Sequence, residues 1–459
     1  MYQIDFQNPI HVHFIGIGGI SMSGLAELLL QEHFTVSGSD MRRSDLTRLL
    51  ESRGAQIHIG QRAANITPGI DLVVYTAAIH ADNPELQQAE KLGIPTMTRA
   101  QFLGQVMNHY SLSMAVSGTH GKTTTTSMLS HILLAADADP TISLGGMLDA
   151  IGGNMRIGRS DIFLTEACEY TNSFLNFYPK YSVILNIEED HLDFFKDIDD
   201  IRCSFRRFAE NTSPNGALIL NAEIMNPEEI TKGLPCRVVT YGVDDPQADY
   251  YASGLTSEEG GKTSFTANTP AGSFPVTIHV PGIHNVSNAM AAVACASEAG
   301  FGADVIAKGL DDFGGTRRRF EIKGKIGGIT VIDDYAHHPT QIEATLRAAS
   351  SMPHDRIICV FQPHTYSRTK AFWNEFAEAL TGADIVVLAD IYAARETDTL
   401  GVSSEKLARE ISSRGTEAWY FPSFDEIENF LLKKCMNNDL LITMGAGDIY
   451  KIGNDLLGL

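Results

Sequence analysis

A glycine loop between an apolar run and a helix-forming segment constrains the fold of this chain more than any other stretch. The apolar run ends at Met114-Ala115-Val116, and residues 117–124 then read SGTHGKTT. Glycines let the backbone curl so that several N–H groups face one anion, and a following helix adds its positive N-terminal end. The pattern predicts a parallel strand, a phosphate-binding loop and a helix, in that order.

Two side chains of this loop indicate what it binds. Lys122 supplies a positive charge for the outer phosphates of a nucleotide, and the Thr123 hydroxyl can ligate Mg²⁺. The longer form of the motif would place glycine at Val116, so only the short form is present. A chance glycine turn with a surface lysine is the alternative. The nucleotide-binding residues expected from the loop are Gly118, Thr119, His120, Gly121, Lys122, Thr123 and Thr124.

The rest of the chain predicts an α/β protein of three domains. Its 459 residues exceed what one hydrophobic core normally holds. Strand-like apolar runs alternate with helical segments from residue 11 onward, and the alternation restarts near 111 and near 322. We expect domains at 1–110, 111–322 and 323–459, each with its own core. Residues 242–280, rich in Gly, Thr and Ser, predict short antiparallel strands.

Composition and charge argue against several classes of partner. A formal net charge of −21 disfavours a broad surface for nucleic acid or anionic membrane, although a phosphate ligand needs only a few local cations. The six cysteines form no C-x-x-C pair, so neither a zinc cluster nor a redox motif is indicated. The N-terminus has no basic segment, and no apolar run reaches the ~20 residues of a membrane span. We expect a cytoplasmic protein with no nucleic-acid partner and no membrane insertion.

A second glycine turn follows the first predicted strand. Gly16, Gly18, Gly19 and Ser21 occupy positions of a dinucleotide-binding fingerprint, and Asp40 lies near the ~20-residue offset at which an acid contacts ribose. The pattern predicts a site for a nucleotide diphosphate and only weakly favours a nicotinamide cofactor. A tight strand-to-helix turn without a ligand is the alternative.

Polar residues also follow several later strands, where parallel sheets bind their ligands. Glu166 and His191 each come just after a buried run and could ligate a metal. By position alone, Glu166 could equally be a solvated loop acid and His191 a hydrogen-bonded loop histidine. Arg318 and Arg368 could neutralise phosphate charge, although each taken singly could be an ordinary surface residue.

Segments along nearly the whole chain together resemble the Mur ligases. In order they read FIGIGGISMSGLAELL, SGSD, AAIHADNPEL, GTHGKTTTT, EACEYTNSFL, NIEEDHLDFF, PGIHNVSNAMAA, RRRFE, DDYAHHPT, FQPHTYSRT and GAGDI. The resemblance implies a Rossmann-like N-terminal domain for a UDP-sugar, a central ATPase domain with a mainly parallel sheet, and a Rossmann-like C-terminal domain that brings an amino acid.

Within this family the chain is most similar to the members that add L-alanine. That similarity implies ATP-dependent ligation of L-alanine to the lactyl carboxylate of UDP-N-acetylmuramate through an acyl phosphate. The products would be UDP-N-acetylmuramoyl-L-alanine, ADP and phosphate, in peptidoglycan biosynthesis. ATP would be the co-substrate and Mg²⁺ or Mn²⁺ the cofactor.

The resemblance also implies roles for named residues. Metal ligands would be Thr123, Glu166 and His191, and the amides of Asn285 and Asn288 would meet the ATP. Lys122 and Arg318 would stabilise the transferring phosphoryl group. His364 and Arg368 would lie near the amino acid and the acyl phosphate, and the UDP-sugar would bind at Gly16, Gly18, Gly19, Ser21 and Asp40.

The chain departs from the family pattern at three positions. Ser21 replaces a common glycine, Cys168 replaces a usual acid, and Arg206 stands where several members carry a carbamylated lysine.

Three other functions compete with alanine addition. A murein-tripeptide recycling ligase would act on the same UDP-sugar, but GIGGISMSG and FQPHTYSRT favour the alanine-adding type. A nicotinamide-dependent oxidoreductase would leave the Lys122 loop unexplained. A non-catalytic nucleotide-binding regulator would bind ATP without amine-dependent phosphate release.

Overall fold

A computed structural model describes residues 2–76, 78–257, 261–394, 396–397 and 400–459. In these residues the strands form three sheets in succession along the chain, of five, ten and six strands. Ala77, the first residue of the AAIHADNPEL segment, lies outside the described residues. Across the part of the chain described, no helix is both long enough and apolar enough to cross a membrane.

The first domain is a parallel sheet with helices between its strands. Its strands are β1 His11–Ile15, β2 Thr35–Asp40, β3 Gln56–Ile59, β4 Leu72–Tyr75 and β5 Thr96–Thr98. Its helices are α1 Ile20–Gln31, α2 Asp45–Ser52, α3 Pro84–Leu92 and α4 Arg99–Met107. The strand order is β3-β2-β1-β4-β5, and all four pairings are parallel. The strand order therefore reverses at β1, whose carboxyl end carries the Gly16 turn.

The central domain has a larger mixed sheet. Its strands are β6 Leu112–Ser117, β7 Thr141–Leu148, β8 Gly153–Arg156, β9 Ile162–Glu166, β10 Tyr181–Ile184, β11 Ala217–Asn221, β12 Arg237–Val243, β13 Tyr250–Ser257, β14 Thr263–Thr269 and β15 Gly272–Ile278. Its helices are α5 Lys122–Ala135, α6 Ile198–Glu210, α7 Glu228–Thr231, α8 Ile283–Glu298 and α9 Ala303–Asp311.

Parallel pairing dominates the middle of this sheet. The order is β15-β14-β13-β12-β11-β10-β6-β9-β7-β8, and only β13–β14, β14–β15 and β7–β8 pair antiparallel. The antiparallel strands predicted for 242–280 are therefore present as β13 to β15. Helices α5 and α8 are buried over most of their length, which their many Ala, Ser and Thr residues permit by allowing close packing.

The third domain is also a mainly parallel sheet with helices between its strands, but its last strand is inserted between its second and third strands and one edge strand is antiparallel. Its strands are β16 Glu321–Ile326, β17 Ile329–Asp334, β18 Ile357–Phe361, β19 Ile385–Leu388, β20 Glu417–Tyr420 and β21 Leu440–Met444. Its helices are α10 Pro339–Ser350, α11 Tyr366–Ala371, α12 Trp373–Leu380, α13 Ser404–Ser413, α14 Phe424–Lys434 and α15 Tyr450–Leu457. The order is β16-β17-β21-β18-β19-β20, and only β16–β17 is antiparallel. Short 3₁₀ turns occupy Ala63–Asn65, Asp149–Ile151 and Tyr170–Asn176.

The predicted α/β class with three mainly parallel sheets is confirmed, but the expectation of three separate cores is wrong. One cluster of buried apolar residues runs from Phe14 and Phe102 in the first domain to Phe163 and Phe174 in the central domain. The third domain has apolar clusters of its own. The domain limits at 110 and 322 stay a prediction, and residue 322 lies inside β16.

Candidate active site

The phosphate-binding loop connects β6 to α5, as the sequence predicts. Gly118 and Gly121 adopt φ of +142° and +82°, a region that favours glycine. A Cβ on Gly118 would lie 2.9 Å from the Cβ of Leu185, and one on Gly121 would lie 2.5 Å from Oδ1 of Asn288. Both glycines are therefore required by backbone conformation and by close neighbours.

Asn186, just after β10, fixes this loop from the neighbouring strand. Its Oδ1 accepts from the His120 N–H at 2.8 Å, and its Nδ2 donates to the His120 carbonyl at 3.2 Å. Its own carbonyl accepts from the Thr119 N–H at 3.2 Å. The sequence interpretation missed Asn186, although its place between a buried strand and the acidic IEED segment was a usable signal.

Lys122 is bound to a buried carboxylate. Its Nζ lies 2.9 and 3.1 Å from the two carboxylate oxygens of Glu169 and also donates to the carbonyls of Gly118 and Thr119. Burial alone would lower the pKa of the Lys122 ammonium, but the charge of Glu169 raises it above its usual value. Lys122 is therefore protonated, and Glu169 must release it before it can contact a phosphate.

Two of the three predicted metal ligands lie side by side. The Thr123 hydroxyl donates to Glu166 Oε2 at 3.1 Å, and the Gly145 N–H donates to Glu166 Oε1 at 2.7 Å. Burial raises the pKa of Glu166, and the Gly145 N–H and the charge of Arg319 partly oppose that shift. A hydroxyl and a carboxylate in contact fit Mg²⁺, which prefers oxygen ligands and keeps several of its waters.

The third predicted ligand, His191, faces a different carboxylate. Its Nε2 lies 3.6 Å from Oε1 of Glu169, and its ring stacks on Tyr170 at 4.4 Å between centroids. Its φ of +53° is unusual for a residue with a side chain, and such backbone conformations cluster at functional sites. The role of His191 as a metal ligand stays a prediction.

Asn285 and Asn288 both lie on α8 where it approaches the loop. The Asn288 amide donates to Asn285 Oδ1 at 3.3 Å, and Asn285 in turn donates to the Pro281 carbonyl at 2.6 Å. Since a Cβ on Gly121 would collide with Asn288, the start of α8 touches the loop. The structure thus brings both asparagines to the predicted nucleotide site.

Arg318, predicted to stabilise phosphate charge, has its side chain occupied inside the third domain. The guanidinium lies between the rings of Tyr335 and Tyr450, 4.8 and 4.5 Å from their centroids. It also pairs with Asp333 at 3.2 Å and donates to the Gly445 carbonyl at 2.8 Å. Its backbone φ is +62°.

The neighbouring Arg319, which the sequence interpretation missed, is the more available cation. Its guanidinium stacks on Tyr335 at 4.7 Å, and within the described residues no carboxylate pairs with it. Its charge acts on Glu166 across the boundary between the central and third domains. The three-arginine run at 317–319 offered no signal for choosing among its members.

Arg368 joins the third domain to the central domain through a buried ion pair. Its guanidinium donates twice to Oδ1 of Asp190, at 2.8 and 3.0 Å, and both side chains are less than 10% exposed. Burial would raise the pKa of Asp190, but Arg368 outweighs burial and holds that pKa well below its usual range. Asp190 directly precedes His191, so this pair couples the third domain to the predicted metal site.

His364 lies next to Arg368 and is neutral. Its Nδ1 accepts from Arg368 Nη1 at 3.1 Å, so the ring proton is on Nε2. Burial and the Arg368 charge lower the pKa of His364 to about 4. The neutral imidazole can therefore donate a hydrogen bond from Nε2, but it cannot accept a proton at Nε2, which already carries one.

A second set of contacts links the third domain to His120 of the phosphate loop. Gln341 Oε1 accepts from the backbone N–H groups of His337 and His338, so its Nε2 is the amide that donates to His120 Nδ1 at 2.9 Å. His120 Nε2 then carries the proton and faces Glu188 Oε2 at 3.2 Å. His120, Glu188 and His338 have metal-ligand spacing, but this tautomer leaves Nε2 without a free lone pair.

The N-terminal turn adopts the predicted geometry with one unexpected contact. Gly16 has a φ of +83°, and Gly19 precedes α1. Asp40, expected to contact a ribose, accepts from the Gly18 N–H through Oδ2 at 2.9 Å. A Cβ on Gly18 would lie 2.8 Å from that oxygen. Asp40 therefore holds the turn, and Ser21 lies at the start of α1 beside Arg99.

Comparison with known proteins gives the family. Three family models match in order: "Mur ligase family, catalytic domain" at residues 11–111, "Mur ligase middle domain" at 116–296, and "Mur ligase, glutamate ligase domain" at 318–447. The chain belongs to the Mur ligase family. Two relatives of this Mur ligase, both named UDP-N-acetylmuramate–L-alanine ligase, come from Agathobacter rectalis and Lachnospira eligens. They are 60% and 56% identical, over the full length of both chains.

Solved structures of Mur ligases have the same fold. A UDP-N-acetylmuramate-alanine ligase from Thermotoga maritima is 29% identical, with a TM-score of 0.79, and the match covers 98% of each chain. A murein peptide ligase from Psychrobacter arcticus is 26% identical, with a TM-score of 0.69 and the same coverage. The shared Mur ligase fold therefore includes all three domains.

Proposed function

We propose that this Mur ligase joins L-alanine to the lactyl carboxylate of UDP-N-acetylmuramate at the expense of ATP, in peptidoglycan biosynthesis. The observation that carries the proposal is the convergence of Lys122, Glu166, Asp190 and Arg368 from two domains around the phosphate-binding loop. ATP is the co-substrate. UDP-N-acetylmuramate and L-alanine are the other substrates, and the reaction takes place in the cytoplasm, where the nucleotides are available.

The chemistry proceeds in two steps. A lactyl carboxylate oxygen forms a bond to the γ-phosphorus of ATP while the bond to the bridging oxygen of ADP breaks, giving an acyl phosphate. The amine of L-alanine then bonds to the acyl carbon, phosphate leaves with the former carboxylate oxygen, and the amine loses a proton to solvent. Phosphorylation is needed because a free carboxylate is a poor electrophile toward an amine.

Lys122 and Arg319 supply positive charge to the transferring phosphoryl group. Lys122 exchanges Glu169 for phosphate oxygens when ATP binds the loop formed by Gly118, Thr119, His120, Gly121, Thr123 and Thr124. Asn285 and Asn288 position the nucleotide from α8. Arg318, bound to Asp333 and Gly445, supports the adjacent Arg319 rather than contacting ATP itself.

Thr123 and Glu166 would hold Mg²⁺ or Mn²⁺, with His191 as a further expected ligand. When bound, the cation neutralises charge on the β- and γ-phosphates. Glu166 is held for this role by the Gly145 N–H, which fixes one carboxylate oxygen and leaves the other facing the Thr123 hydroxyl.

His364 and, once it is released from Asp190, Arg368 bind the amino acid and the acyl phosphate. Since His364 carries its proton on Nε2, it donates a hydrogen bond to the carboxylate of L-alanine or to a phosphate oxygen. The UDP-sugar binds at the turn of Gly16, Gly18, Gly19 and Ser21, with Asp40 fixing that turn.

A scan of amine acceptors tests the function. Purified enzyme with ATP, Mg²⁺ and UDP-N-acetylmuramate is assayed for phosphate release with each free amino acid and with the tripeptide L-Ala-γ-D-Glu-meso-diaminopimelate. L-Alanine should support the highest kcat/KM, with UDP-N-acetylmuramoyl-L-alanine identified by mass spectrometry. Release with the tripeptide alone would favour the recycling ligase, and no amine-dependent release would contradict a ligase.

A further inference from the structure

Arg99 is a part-buried cation with no paired carboxylate among the residues that the structure describes, at the seam between the first and central domains. Its Nη1 donates to the Ser21 hydroxyl at 3.1 Å. Within the described ranges this is its only side-chain hydrogen bond, and no carboxylate lies within ion-pair distance of it. A guanidinium has five N–H donors, so most of the hydrogen-bonding capacity of Arg99 is unused.

Such an arrangement destabilises the free protein unless an anion completes it. Burial lowers the pKa of Arg99, because partial removal from water disfavours the charged form. Buried charges in proteins are normally paired, because their desolvation is otherwise uncompensated. A part-buried guanidinium with no paired carboxylate is therefore suited to recognise a ligand that carries the missing negative charge.

The position of Arg99 is fixed by local structure on both sides. It is the first residue of α4, whose start is closed by reciprocal hydrogen bonds between Thr98 and Gln101. Further along α4, a Cβ on Gly104 would lie only 2.0 Å from the Asn176 carbonyl oxygen of the central domain. The guanidinium thus approaches the Gly16–Ser21 turn from a rigid helix that the central domain holds in place.

The charge balance at the turn requires a cation of this kind. Asp40 holds the Gly18 N–H with a carboxylate, so a negative charge already lies beside the turn. Its other carboxylate oxygen accepts from the Arg42 backbone N–H, and the described residues place no cationic side chain within ion-pair distance of it. A diphosphate at this turn would be repelled by Asp40 unless a positive charge lay on its other side. Arg99 supplies that charge.

We propose that Arg99 binds the diphosphate of the UDP-sugar and so fixes the substrate between the N-terminal turn and the Lys122 loop. The inference rests on the proposed function for the identity of the ligand, a nucleoside diphosphate sugar. Arg99 joins the residues expected to bind the UDP-sugar at the Gly16–Ser21 turn. Its positive charge explains how this turn, which the Asp40 carboxylate holds, accepts a diphosphate. The charge of Arg99 also reaches Cys168, which directly precedes the Glu169 that holds Lys122.

Calorimetric titration without turnover tests the proposal. UDP, UDP-N-acetylglucosamine and UDP-N-acetylmuramate are each titrated into the full-length enzyme and into Arg99→Met, Arg99→Lys and Arg48→Met. Arg48 is the matched control, since it lies in the same domain with its side chain 62% exposed. Arg99→Met should bind all three ligands about 10-fold more weakly or worse, because charge-assisted hydrogen bonds are lost. Arg99→Lys should recover part of the affinity, and Arg48→Met should bind as the wild type does.

Two further readouts separate ligand binding from a structural role. Arg99→Met should bind an ATP analogue normally and melt at the same temperature as the wild type or higher, since it removes a part-buried charge that has no paired carboxylate. In turnover, KM for the UDP-sugar should rise more than kcat falls.

Several outcomes would overturn the proposal. One is an unchanged affinity of Arg99→Met for UDP. A second is a loss of affinity confined to UDP-N-acetylmuramate, which would assign Arg99 to the lactyl carboxylate. A third is a lower melting temperature of Arg99→Met together with weaker binding of the ATP analogue. A wild type that binds UDP but forms no amide would refute the proposed function and leave the Arg99 result intact.

Discussion

Arg318 and Arg319 are adjacent and carry the same charge, but only one of them is available to a ligand. Arg318 is enclosed by Tyr335, Tyr450, Asp333 and the Gly445 carbonyl. Arg319 stacks on one face of Tyr335 and acts on Glu166. The sequence places both in one basic run, so the difference depends on contacts with residues that are distant along the chain.

Substitution of Arg319 should lower kcat, whereas substitution of Arg318 should lower stability. Arg319→Ala should lower kcat on the order of 100-fold with little change in melting temperature, because a cation near the phosphoryl group is lost. Arg318→Ala should instead lower the melting temperature, because it leaves the buried Asp333 without its partner. Steady-state kinetics and scanning calorimetry on both variants check this. Equal catalytic losses at equal stability would contradict the assignment.

The loop lysine should be essential for turnover. Lys122→Ala should reduce kcat on the order of 100-fold or more, because the transferring phosphoryl group loses a positive charge. Phosphate release measured at saturating ATP is the test, with Lys91→Ala on the exposed surface of α3 as the control. Near wild-type turnover of Lys122→Ala would refute the assignment of this loop as the ATP site.

At the scale of elements, two helices of the first domain pack closely against the central domain at positions occupied by glycine. Gly24 on α1 lies against Met155 of β8, and Gly104 on α4 lies against the Asn176 carbonyl. The N-terminal ends of the same two helices carry Ser21 and Arg99. Packing at the seam therefore determines the geometry of the proposed UDP-sugar site.

Whether a glycine-to-alanine substitution in α4 raises or lowers the melting temperature tests this packing. Alanine normally favours a helix interior over glycine by about 1 kcal/mol. At Gly104 the new Cβ would lie 2.0 Å from a carbonyl oxygen, and such overpacking costs roughly 1–3 kcal/mol. Gly104→Ala should therefore lower the melting temperature, while Gly314→Ala, outside any helix or strand and with nothing within 4 Å of its new Cβ, should not lower it. A higher melting temperature for Gly104→Ala would contradict the close approach.

Sequence patterns predicted the elements better than the contacts between them. The strand and helix periodicities around Gly118 and Gly16 depend on local spacing, so they gave the turns and the α/β class correctly. Asn186, Glu169 and Gln341 were missed because their roles come from pairings with Thr119, Lys122 and His120, which lie 47 to 221 residues away. The shared core of the first two domains was missed for the same reason, since periodicity does not reveal which apolar faces meet.

For the whole molecule, the seams on the two sides of the central domain differ in character. The first domain shares an apolar cluster with the central domain. The third domain meets the central domain through polar contacts, including Arg368 with Asp190, Gln341 with His120, and His338 with the Glu189 carbonyl. Polar contacts exchange partners more readily than an apolar core separates, so we expect the third domain to be the one that moves during the reaction.

Buried histidines at the polar seam should make stability depend on pH. Burial lowers the pKa of His338 to about 4, whereas an unfolded histidine titrates near 6.5. The unfolded state then binds more protons, so the stabilisation is complete above pH 6.5 and is lost as pH falls toward 4. At pH 5.5 this loss is about 1 kcal/mol for one such group.

Calorimetry at pH 7.5 and pH 5.5 checks this dependence. The wild type should lose about 1 °C more in melting temperature over this interval than His338→Gln, which has no group to titrate there. The control His279→Gln, whose wild-type side chain is 43% exposed, should match the wild type. An identical fall in melting temperature for wild type and His338→Gln would contradict the pKa assignment.

The central claim is that the lactyl carboxylate is activated as an acyl phosphate. Oxygen transfer tests it most directly: UDP-N-acetylmuramate labelled with ¹⁸O in both lactyl carboxylate oxygens is turned over with ATP, Mg²⁺ and L-alanine, and the released phosphate is analysed by mass spectrometry. An acyl phosphate intermediate predicts one ¹⁸O atom in each phosphate and the other in the new amide carbonyl. Unlabelled phosphate accompanied by normal amide formation would contradict it.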